Sequence, residues 1–385
     1  MQAAQGMKVA TPGAAGAGRT WLAAAAMTIA LYLWVVCWPI VAPDMTLFLF
    51  PWYQHIVASG PIAAFHTPFS NYTPPYLYLL DAVSLGGGVL SPLAALKLVA
   101  LAGTVFLAAA CADLIVALGG DRRRAVLIFA LPTVIINAAL LGQCDSLWAA
   151  SCVLAIAAMI RARTATALLW CGVAIAFKAQ SAFVAPFIVG ALIGRRAPLW
   201  QWLIPPATYC MLMLPAWIAG WPAADLALIY VRQVEYFDFP GNLANPWIWM
   251  AAYAKGGQAY YIIGYGAAAA AAVAIAAVTA RSVQRTRALL PLALLSATAL
   301  PYMLPKMHER YLFLADVLAF ALAAVQPSRK TVTAALAVQL TSLSALIAYI
   351  YNWRAPALAG ALVGAAALLV IAGIVREELA SRPSG

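Results

Sequence analysis

The sequence contains very little charge. Only 9% of its 385 residues are Asp, Glu, Lys or Arg, whereas 65% are hydrophobic, and the mean hydropathy is +0.89. Soluble globular domains carry charge on about a quarter of their residues. The shortage of charge therefore excludes a soluble globular domain. It predicts an all-α, polytopic membrane protein whose residues 1–385 form a single integral membrane domain.

Motifs for metal, disulfide or nucleotide chemistry are also missing. The six cysteines lie mostly within apolar runs, with no CxxC pair and no histidine at metal-site spacing, which argues against a disulfide framework or a zinc site. We expect no cofactor and no metal, although Asp145 and Glu309 could ligate a divalent ion. The chain has no GxGxxG turn and no GxxxxGK[ST] loop, and the Gly86–Gly88 run follows no strand. No nucleotide site is therefore expected on the cytoplasmic face.

Apolar runs that could cross a bilayer recur along the whole chain. A crossing helix needs about 17 to 25 apolar residues. The first run, at 20–41, is longer than the apolar core of a secretory signal, so we expect it to be retained. About twelve spans are predicted. They lie near residues 20–41, 93–118, 125–141, 146–160, 164–180, 182–194, 199–219, 257–280, 288–303, 311–325, 331–351 and 356–375.

Basic residues fall on one side of this topology. Of the 23 Lys and Arg residues, most lie in alternate loops or at the termini, and the positive-inside rule makes those regions cytoplasmic. We therefore predict cytoplasmic termini, including an arm at residues 1–19. The alanine-rich composition suggests a bacterial inner membrane. All three histidines face the other side, so the active site should be extracytoplasmic, and nucleic acid is not an expected partner.

Two long extracytoplasmic loops are expected, at about 42–92 and 220–256. Residues 74–90 are apolar enough to resemble a span, but counting them as a crossing would put the basic cluster Arg122–Arg124 outside. Their double proline and triple glycine also argue against a regular span. We therefore predict an interfacial or re-entrant helix within the first loop.

The second loop is rich in aromatic side chains with interspersed amides. Its candidate acceptor-binding or sugar-binding residues are Asn242, Asn245 and Trp247. Aromatic faces and amides suit carbohydrate recognition, and an aromatic girdle at the membrane interface has the same composition. The two interpretations are equally open at this point.

The first loop carries two candidate functional segments. Asp44 directly follows the first span, and a carboxylate partly removed from water there can act as a general base, or it can simply cap a helix. Further along, Tyr72 and Tyr76 offer hydroxyl groups next to a double proline that fixes the backbone. Such groups suit sugar binding, with an aromatic belt around an interfacial helix as the alternative.

Polar side chains also occupy very short outer turns. Gln143 and Asp145 lie in one turn, and Lys178 and Gln180 lie in the next. Ionisable groups this close to hydrocarbon are costly and are usually functional or paired. We interpret these residues as binding or orienting groups. A simple Asp145–Lys178 salt bridge is the alternative.

The densest polar group lies in the outer turn before the tenth span. It is the segment Lys306-Met307-His308-Glu309-Arg310. Three cationic or potentially cationic side chains within five residues form an anion trap, and the guanidinium fork fits phosphate. We predict that Lys306, His308 and Arg310, together with Lys178, bind a phosphate group. Snorkelling interfacial side chains are the alternative.

In their order along the chain, these segments resemble the GT-C superfamily of membrane glycosyltransferases. The nearest likeness is to the endoplasmic-reticulum glucosyltransferases that use dolichyl-phosphate-glucose. The likeness rests on Asp44, Tyr72-Thr73-Pro74-Pro75, Gly142-Gln143, the FKxQ segment at 177–180, and His308-Glu309-Arg310. Arg310 stands where that family has lysine. The resemblance implies that Asp44 is the general base for the acceptor, that His308 and Arg310 bind the donor phosphate, and that Glu309 orients them.

An outward-facing site without a nucleotide motif favours a polyprenyl-phosphate sugar as the donor, because sugar nucleotides are made in the cytoplasm. We expect inverting transfer of the sugar to a hydroxyl of an extracytoplasmic lipid-linked or polysaccharide acceptor, within surrounding membrane lipids. One alternative is a transporter of a lipid-linked sugar, although the chain has no convincing internal repeat. The other is a ligase or polymerase that uses a polyprenyl-diphosphate donor.

Overall fold

All regular structure in this computed structural model is helical over the residues it describes, 14–86, 90–235, 241–253 and 258–381. The α-helices in these ranges are α1 (Ala14–Cys37), α2 (Phe50–Ser59), α3 (Pro74–Ser84), α4 (Pro92–Ala117), α5 (Pro132–Val134), α6 (Asp145–Ile160), α7 (Thr164–Phe177), α8 (Ala185–Gly194), α9 (Ile204–Ala219), α10 (Ala223–Glu235), α11 (Pro246–Tyr253), α12 (Gln258–Ser282), α13 (Thr286–Met303), α14 (Phe313–Val325), α15 (Arg329–Ile350) and α16 (Ala355–Ala380). Shorter 3-10 or π turns occupy Met45–Leu49, Ala63–His66, Arg122–Ala130, Ile135–Leu140, Ala179–Val184 and Leu199–Leu203. The predicted all-α class is thus confirmed for these residues.

Five helices in the described part of the chain are long and apolar enough to cross a membrane. They are Pro92–Ala117, Leu199–Ala219, Ala259–Ser282, Arg329–Ile350 and Ala355–Ala380. A sixth crossing results if Arg122–Ala130 and Pro132–Leu140, bent by 57° at their junction, form one span. Further apolar helices, such as Thr164–Phe177, coincide with predicted runs but are shorter. The expected count of about twelve spans is not confirmed.

Large apolar side chains cover much of the outer surface. Trp21, Leu199, Met211, Ile262 and Leu369 are each more than two-thirds exposed. A soluble protein rarely exposes contiguous apolar surface, because water disfavours it. Together with the long apolar helices, this surface identifies the chain as an integral membrane protein.

The apolar stretch at 74–90 contains a short helix. Helix α3 begins at the double proline and ends at Ser84 after 11 residues. Such a helix is roughly 16 Å long, about half the thickness of the hydrocarbon core. It is too short to cross a bilayer alone. Residues 87–89, with two of the three glycines, lie outside the described residues, and the interfacial position of α3 stays a prediction.

Two buried apolar cores hold the chain together. The larger core lies between the long helices, where α4 packs on α6, α6 on α7, and α15 on α16. The smaller core lies under the first loop, where Trp52, Tyr53 and Leu77 of α2 and α3 are buried close to α4 and α9. This second core attaches the segments that carry Asp44 and Tyr72 to the helix bundle.

A buried lysine fixes the two turns that deliver Asp44 and Gln143. Lys97 in α4 is fully buried, and its ammonium donates to main-chain carbonyls at the end of α1, where Cys37 O is 3.2 Å away, and at the end of the turn Ile135–Leu140. Asp44 follows the first of these ends and Gln143 the second. The Lys97 side chain therefore fixes the end of α1 relative to the end of the turn Ile135–Leu140.

We predict that Lys97→Met lowers the thermal unfolding midpoint of the detergent-solubilised protein. The substitution keeps the apolar stem but leaves buried carbonyls without their donor, at a cost of about 2 to 3 kcal/mol. Lys330→Met is the matched control, because Lys330 pairs with Glu377 on the exposed surface and such pairs contribute little. Equal midpoints for the two variants would contradict the assigned role of Lys97.

Candidate active site

Asp44 is held by side chains from three other parts of the chain. Its Oδ1 accepts a hydrogen bond from the Tyr349 hydroxyl at 2.6 Å, and its Oδ2 accepts one from Gln143 Nε2 at 2.9 Å. Arg310 Nη2 lies 3.2 Å from the same Oδ2. Within the described residues, Asp44 makes no side-chain capping bond to the turn that follows it. Its carboxylate is therefore oriented by tertiary contacts, which disfavours the interpretation as a helix cap.

Gln143 reaches Asp44 from a turn that requires glycine. Gly142 has a φ of +59°, and a Cβ there would lie 2.5 Å from Met45 Cε. The Tyr72 hydroxyl donates to Gln143 Oε1 at 3.2 Å, which fixes the amide so that its NH₂ group points to Asp44. Burial raises the pKa of Tyr72, so the phenol keeps its proton and remains a donor.

The turn between α13 and α14 brings three ionisable groups together. Glu309 is fully buried, with Arg310 Nε at 3.1 Å from its Oε1 and His308 Nδ1 at 3.7 Å from its Oε2. Burial alone would raise the pKa of Glu309, but the nearby His308 imidazole and the charge of Arg310 outweigh it, and the pKa lies below its ordinary value. Glu309 is therefore a carboxylate that orients both neighbours.

The same turn is supported by the middle of the second loop. Gly241 has a φ of +76°, and a Cβ there would lie 2.1 Å from the Met307 carbonyl oxygen. The Leu243 amide donates to that oxygen at 3.1 Å. This close main-chain packing fixes Met307, and with it the direction in which His308 enters the site.

Lys178 and Asp145 form a buried ion pair beside this cluster. Lys178 Nζ lies 2.5 Å from Asp145 Oδ1, and the carboxylate also accepts from Asn137 Nδ2 at 2.6 Å and Trp148 Nε1 at 3.0 Å. The Lys178 ammonium is also 4.7 Å from the centre of the Tyr72 ring. The salt bridge considered from the sequence is thus present, and it touches the same tyrosine that holds Gln143.

These groups line two adjoining cavities. The first has a volume of about 240 Å³ and is lined by Asp44, Phe48, Leu49, Trp52, Asn71, Tyr72, Gln143, Asn242, His308, Glu309, Arg310 and Tyr349. The second, of about 60 Å³, is lined by Asn71, Tyr72, Asp145, Trp148, Lys178, Gln180, Gln233, His308, Arg310 and Tyr311. Tyr72, His308 and Arg310 border both cavities. The polar segments identified in the sequence therefore converge on one place.

Some predicted residues lie away from this centre. Tyr76 is buried behind Tyr72, with ring centroids 5.6 Å apart. Lys306 lines a separate cavity of about 220 Å³, and its ammonium lies 5.6 Å from the Tyr261 ring. Asn245 Nδ2 donates to the Leu304 carbonyl at 3.2 Å, and Trp247 Nε1 donates to the Met303 carbonyl at 2.8 Å. These last two side chains thus hold α11 against the end of α13.

Sequence reasoning missed Tyr349, one of the three side-chain partners that Asp44 has among the described residues. It lies in the last turn of α15, in an aromatic stretch that is typical of a membrane interface. No local motif marks it as a ligand of a carboxylate 305 residues away. As for metals, no group of three or more His, Cys, Asp or Glu side chains in the described ranges is arranged to hold an ion.

Comparison with known proteins gives no family. No family model and no curated protein matches the sequence. Among solved structures, ArnT from Cupriavidus metallidurans bound to undecaprenyl phosphate aligns over 94% of this chain and 78% of that chain, at 14% identity and a TM-score of 0.49. ArnT from the same organism in the apo state aligns with the same coverage, at 15% identity and a TM-score of 0.40. Both scores are below 0.5, so neither likeness establishes a shared fold.

We predict that Asp145→Asn strongly destabilises the protein. The variant leaves the Lys178 ammonium buried without a counter-charge, which costs about 3 to 5 kcal/mol. Thermal unfolding of the purified protein measures the loss of stability. The double variant Asp145→Asn/Lys178→Met should recover part of this stability, because it leaves no buried charge without a partner. The matched control is Asp113→Asn, whose partner Arg161 is 26% exposed while Asp113 is 44% exposed. If the control loses as much stability as Asp145→Asn, burial is not the reason for the effect.

Proposed function

We propose that the protein is an inverting glycosyltransferase. It moves a sugar from a polyprenyl-phosphate-linked donor to a hydroxyl of an extracytoplasmic lipid-linked or polysaccharide acceptor. The observation that carries this proposal is one oriented carboxylate, Asp44, in the same 240 Å³ cavity as Arg310 and His308. A single base next to an anion-binding cluster is what a one-step displacement at an anomeric carbon requires.

Asp44 is suited to accept the proton of the acceptor. Its Oδ1 receives one hydrogen bond, from Tyr349, so a second lone pair of this oxygen is available to a substrate hydroxyl. In the proposed step the acceptor oxygen bonds to the anomeric carbon as its proton passes to Asp44. The bond from that carbon to the phosphate oxygen breaks at the same time, and its electron pair leaves with the polyprenyl phosphate. One such displacement inverts the configuration of the anomeric carbon.

Arg310 is suited to hold the phosphate. Two of its nitrogens contact Asp44 and Glu309, and the third, Nη1, is buried without a hydrogen-bond partner among the described residues. A buried donor that lacks a partner is costly, so its retention is typical of a ligand site. His308 borders the same two cavities and offers another donor to the charge that develops on the leaving phosphate.

The charge balance favours a donor with a single phosphate. Both principal cations are paired, Arg310 with Glu309 and Asp44 and Lys178 with Asp145, so the described part of the site has no surplus positive charge. A phosphodiester that links a sugar to a prenyl chain has one negative charge, whereas a sugar nucleotide or a prenyl diphosphate has two. Each further buried charge that lacks a counter-charge is costly. This argument favours the transferase over a ligase that uses a diphosphate donor.

An apolar groove is available for the prenyl chain. Its volume is about 520 Å³, and its lining comes from α6 to α10 and includes Ile175, Ile188 and Leu192. Trp202 and Cys210, which are exposed on the apolar surface, also line it, so the groove opens towards lipid. Tyr230 borders both this groove and the cavity of Lys306. Tyr311 in turn borders both the cavity of Lys306 and the second cavity of the site. A chain in the groove would thus lead from the membrane towards the proposed phosphate site.

Asp44→Asn should lower turnover by roughly 10² to 10⁴-fold, the usual contribution of a general base. Donor binding should be unchanged, because Asp44 acts on the acceptor, or tighter, because the negative charge next to Arg310 is lost. Mass spectrometry of the lipid fraction, with purified protein in liposomes and a panel of short-chain polyprenyl-phosphate sugars, measures turnover. Asp121→Asn, which changes a carboxylate that caps an exposed turn, should keep full activity. Full activity of Asp44→Asn would refute the base assignment.

Arg310→Ala should weaken binding of the polyprenyl-phosphate sugar by roughly 10- to 100-fold, because charge-assisted hydrogen bonds to the phosphate are lost. Titration of the purified protein with a short-chain donor measures the effect. His308→Ala, a smaller disturbance of the turn, should weaken binding in the same direction. Arg354→Ala, at an exposed site after α15, is the control for loss of an arginine. Unchanged donor affinity in both site variants would show that the donor phosphate does not bind at this cluster.

A further inference from the structure

A larger cavity adjoins the candidate active site and has no role in the chemistry described so far. Its volume is about 400 Å³, within the roughly 300 to 1,000 Å³ that small-ligand pockets occupy. It is lined by Phe48, Trp52, Pro68, Phe69, Ser70, Asn71, Trp221, Asp225, Ile229, Arg232 and Gln233. We refer to it as the outer cavity.

Aromatic rings form much of the wall of the outer cavity. Trp52 and Phe48 lie with their ring centroids 6.0 Å apart, and Phe69 and Trp221 with theirs 5.6 Å apart. Rings held in fixed positions offer flat apolar faces at little further cost in conformational entropy. Sugar rings have complementary faces of C–H groups, so such walls suit a saccharide.

Two residues that line the outer cavity carry buried polar atoms that no described residue satisfies. Trp221 is only 1% exposed, and its Nε1 donor has no hydrogen-bond partner in the described part of the chain. Asn71 Oδ1, an acceptor on the facing loop, is likewise buried and without a partner there. Buried polar atoms are rarely left unpaired in native proteins. One unpaired donor and one unpaired acceptor match a ligand with hydroxyl groups, which can accept from one and donate to the other.

The charge of the outer cavity points to a neutral ligand. The two charged side chains among its described lining residues, Asp225 and Arg232, form an ion pair with each other. The pair leaves no net charge to attract a phosphate. Its guanidinium is half-exposed, whereas that of Arg310 is mostly buried and has one nitrogen without a partner among the described residues. An acid and a guanidinium side by side still offer acceptors and donors to hydroxyl groups.

The outer cavity borders the cavity of Asp44. Phe48, Trp52 and Asn71 line both. The two cavities therefore meet at these side chains, and a ligand in the outer cavity lies next to the cavity that contains the Asp44 carboxylate.

We propose that the outer cavity binds a neutral saccharide unit of the acceptor and directs one of its hydroxyls past Trp52 to Asp44. The acceptor is then a glycan, rather than a lipid or peptide whose hydroxyl stands alone. This inference rests on the proposed function, but saccharide binding can be measured without it.

Saturation-transfer NMR with the full-length protein in detergent tests the proposal directly. The probes are methyl glycosides and disaccharides of glucose, mannose, galactose and N-acetylglucosamine. Trp221→Phe keeps an aromatic ring, although a smaller one than indole, and removes the N–H donor, so it should weaken saccharide binding by roughly 10-fold. Arg232→Ala, at a side chain that is 51% exposed, carries little folding risk and should act in the same direction. Trp217→Phe is the matched control, because Trp217 is exposed on α9.

Binding to the wild type that weakens in Trp221→Phe and Arg232→Ala but not in Trp217→Phe would support the outer cavity as a saccharide site. No binding of any probe at high millimolar concentration, or binding that neither site variant changes, would overturn it. A transfer assay separates this proposal from the proposed function. Saccharide binding with no transfer from any polyprenyl-phosphate sugar would refute the transferase alone, and transfer with an unchanged acceptor KM in both site variants would refute the saccharide site alone.

Discussion

The carboxylate of Asp44 has to be held at the edge of an apolar bundle by donors from the same chain. Two of these donors, on Gln143 and Tyr349, are 99 and 305 residues away in the sequence, so their meeting depends on the packing of nearly the whole protein. Lys97, Gly142 and the core under the first loop all help to fix the position of the Asp44 carboxylate and its partners. The structure around the site can therefore be understood as support for a single oriented carboxylate.

Charge is distributed unevenly around that carboxylate. On one side, Arg310 and Lys178 are each paired with a buried acid and still border a cavity. On the other side, the wall is largely aromatic, and the two charged side chains among its described residues neutralise each other. In the proposed reaction, an anionic donor and a neutral acceptor would reach the base from these two sides, and desolvation and charge would distinguish the two ligands before they react.

Much of this arrangement could be predicted from the sequence. The apolar runs predicted helices, and polar side chains in outer turns marked Asp44, Gln143, Lys178 and the His308 turn, because polar groups beside hydrocarbon are seldom accidental. Tyr349 could not be found in this way, since a tyrosine near the end of an apolar helix is usual at a membrane interface. Which face of a helix meets a neighbour depends on its rotation in the bundle, and no local pattern reports that.

The apolar groove between the middle helices opens where the protein contacts lipid. If the donor enters there, its search for the enzyme takes place within the plane of the bilayer, and its tail never enters water. The quantity that sets the rate is then the number of donor molecules per unit of membrane area, not per unit volume. Added inert lipid would slow the reaction by surface dilution, at constant total amounts of enzyme and donor.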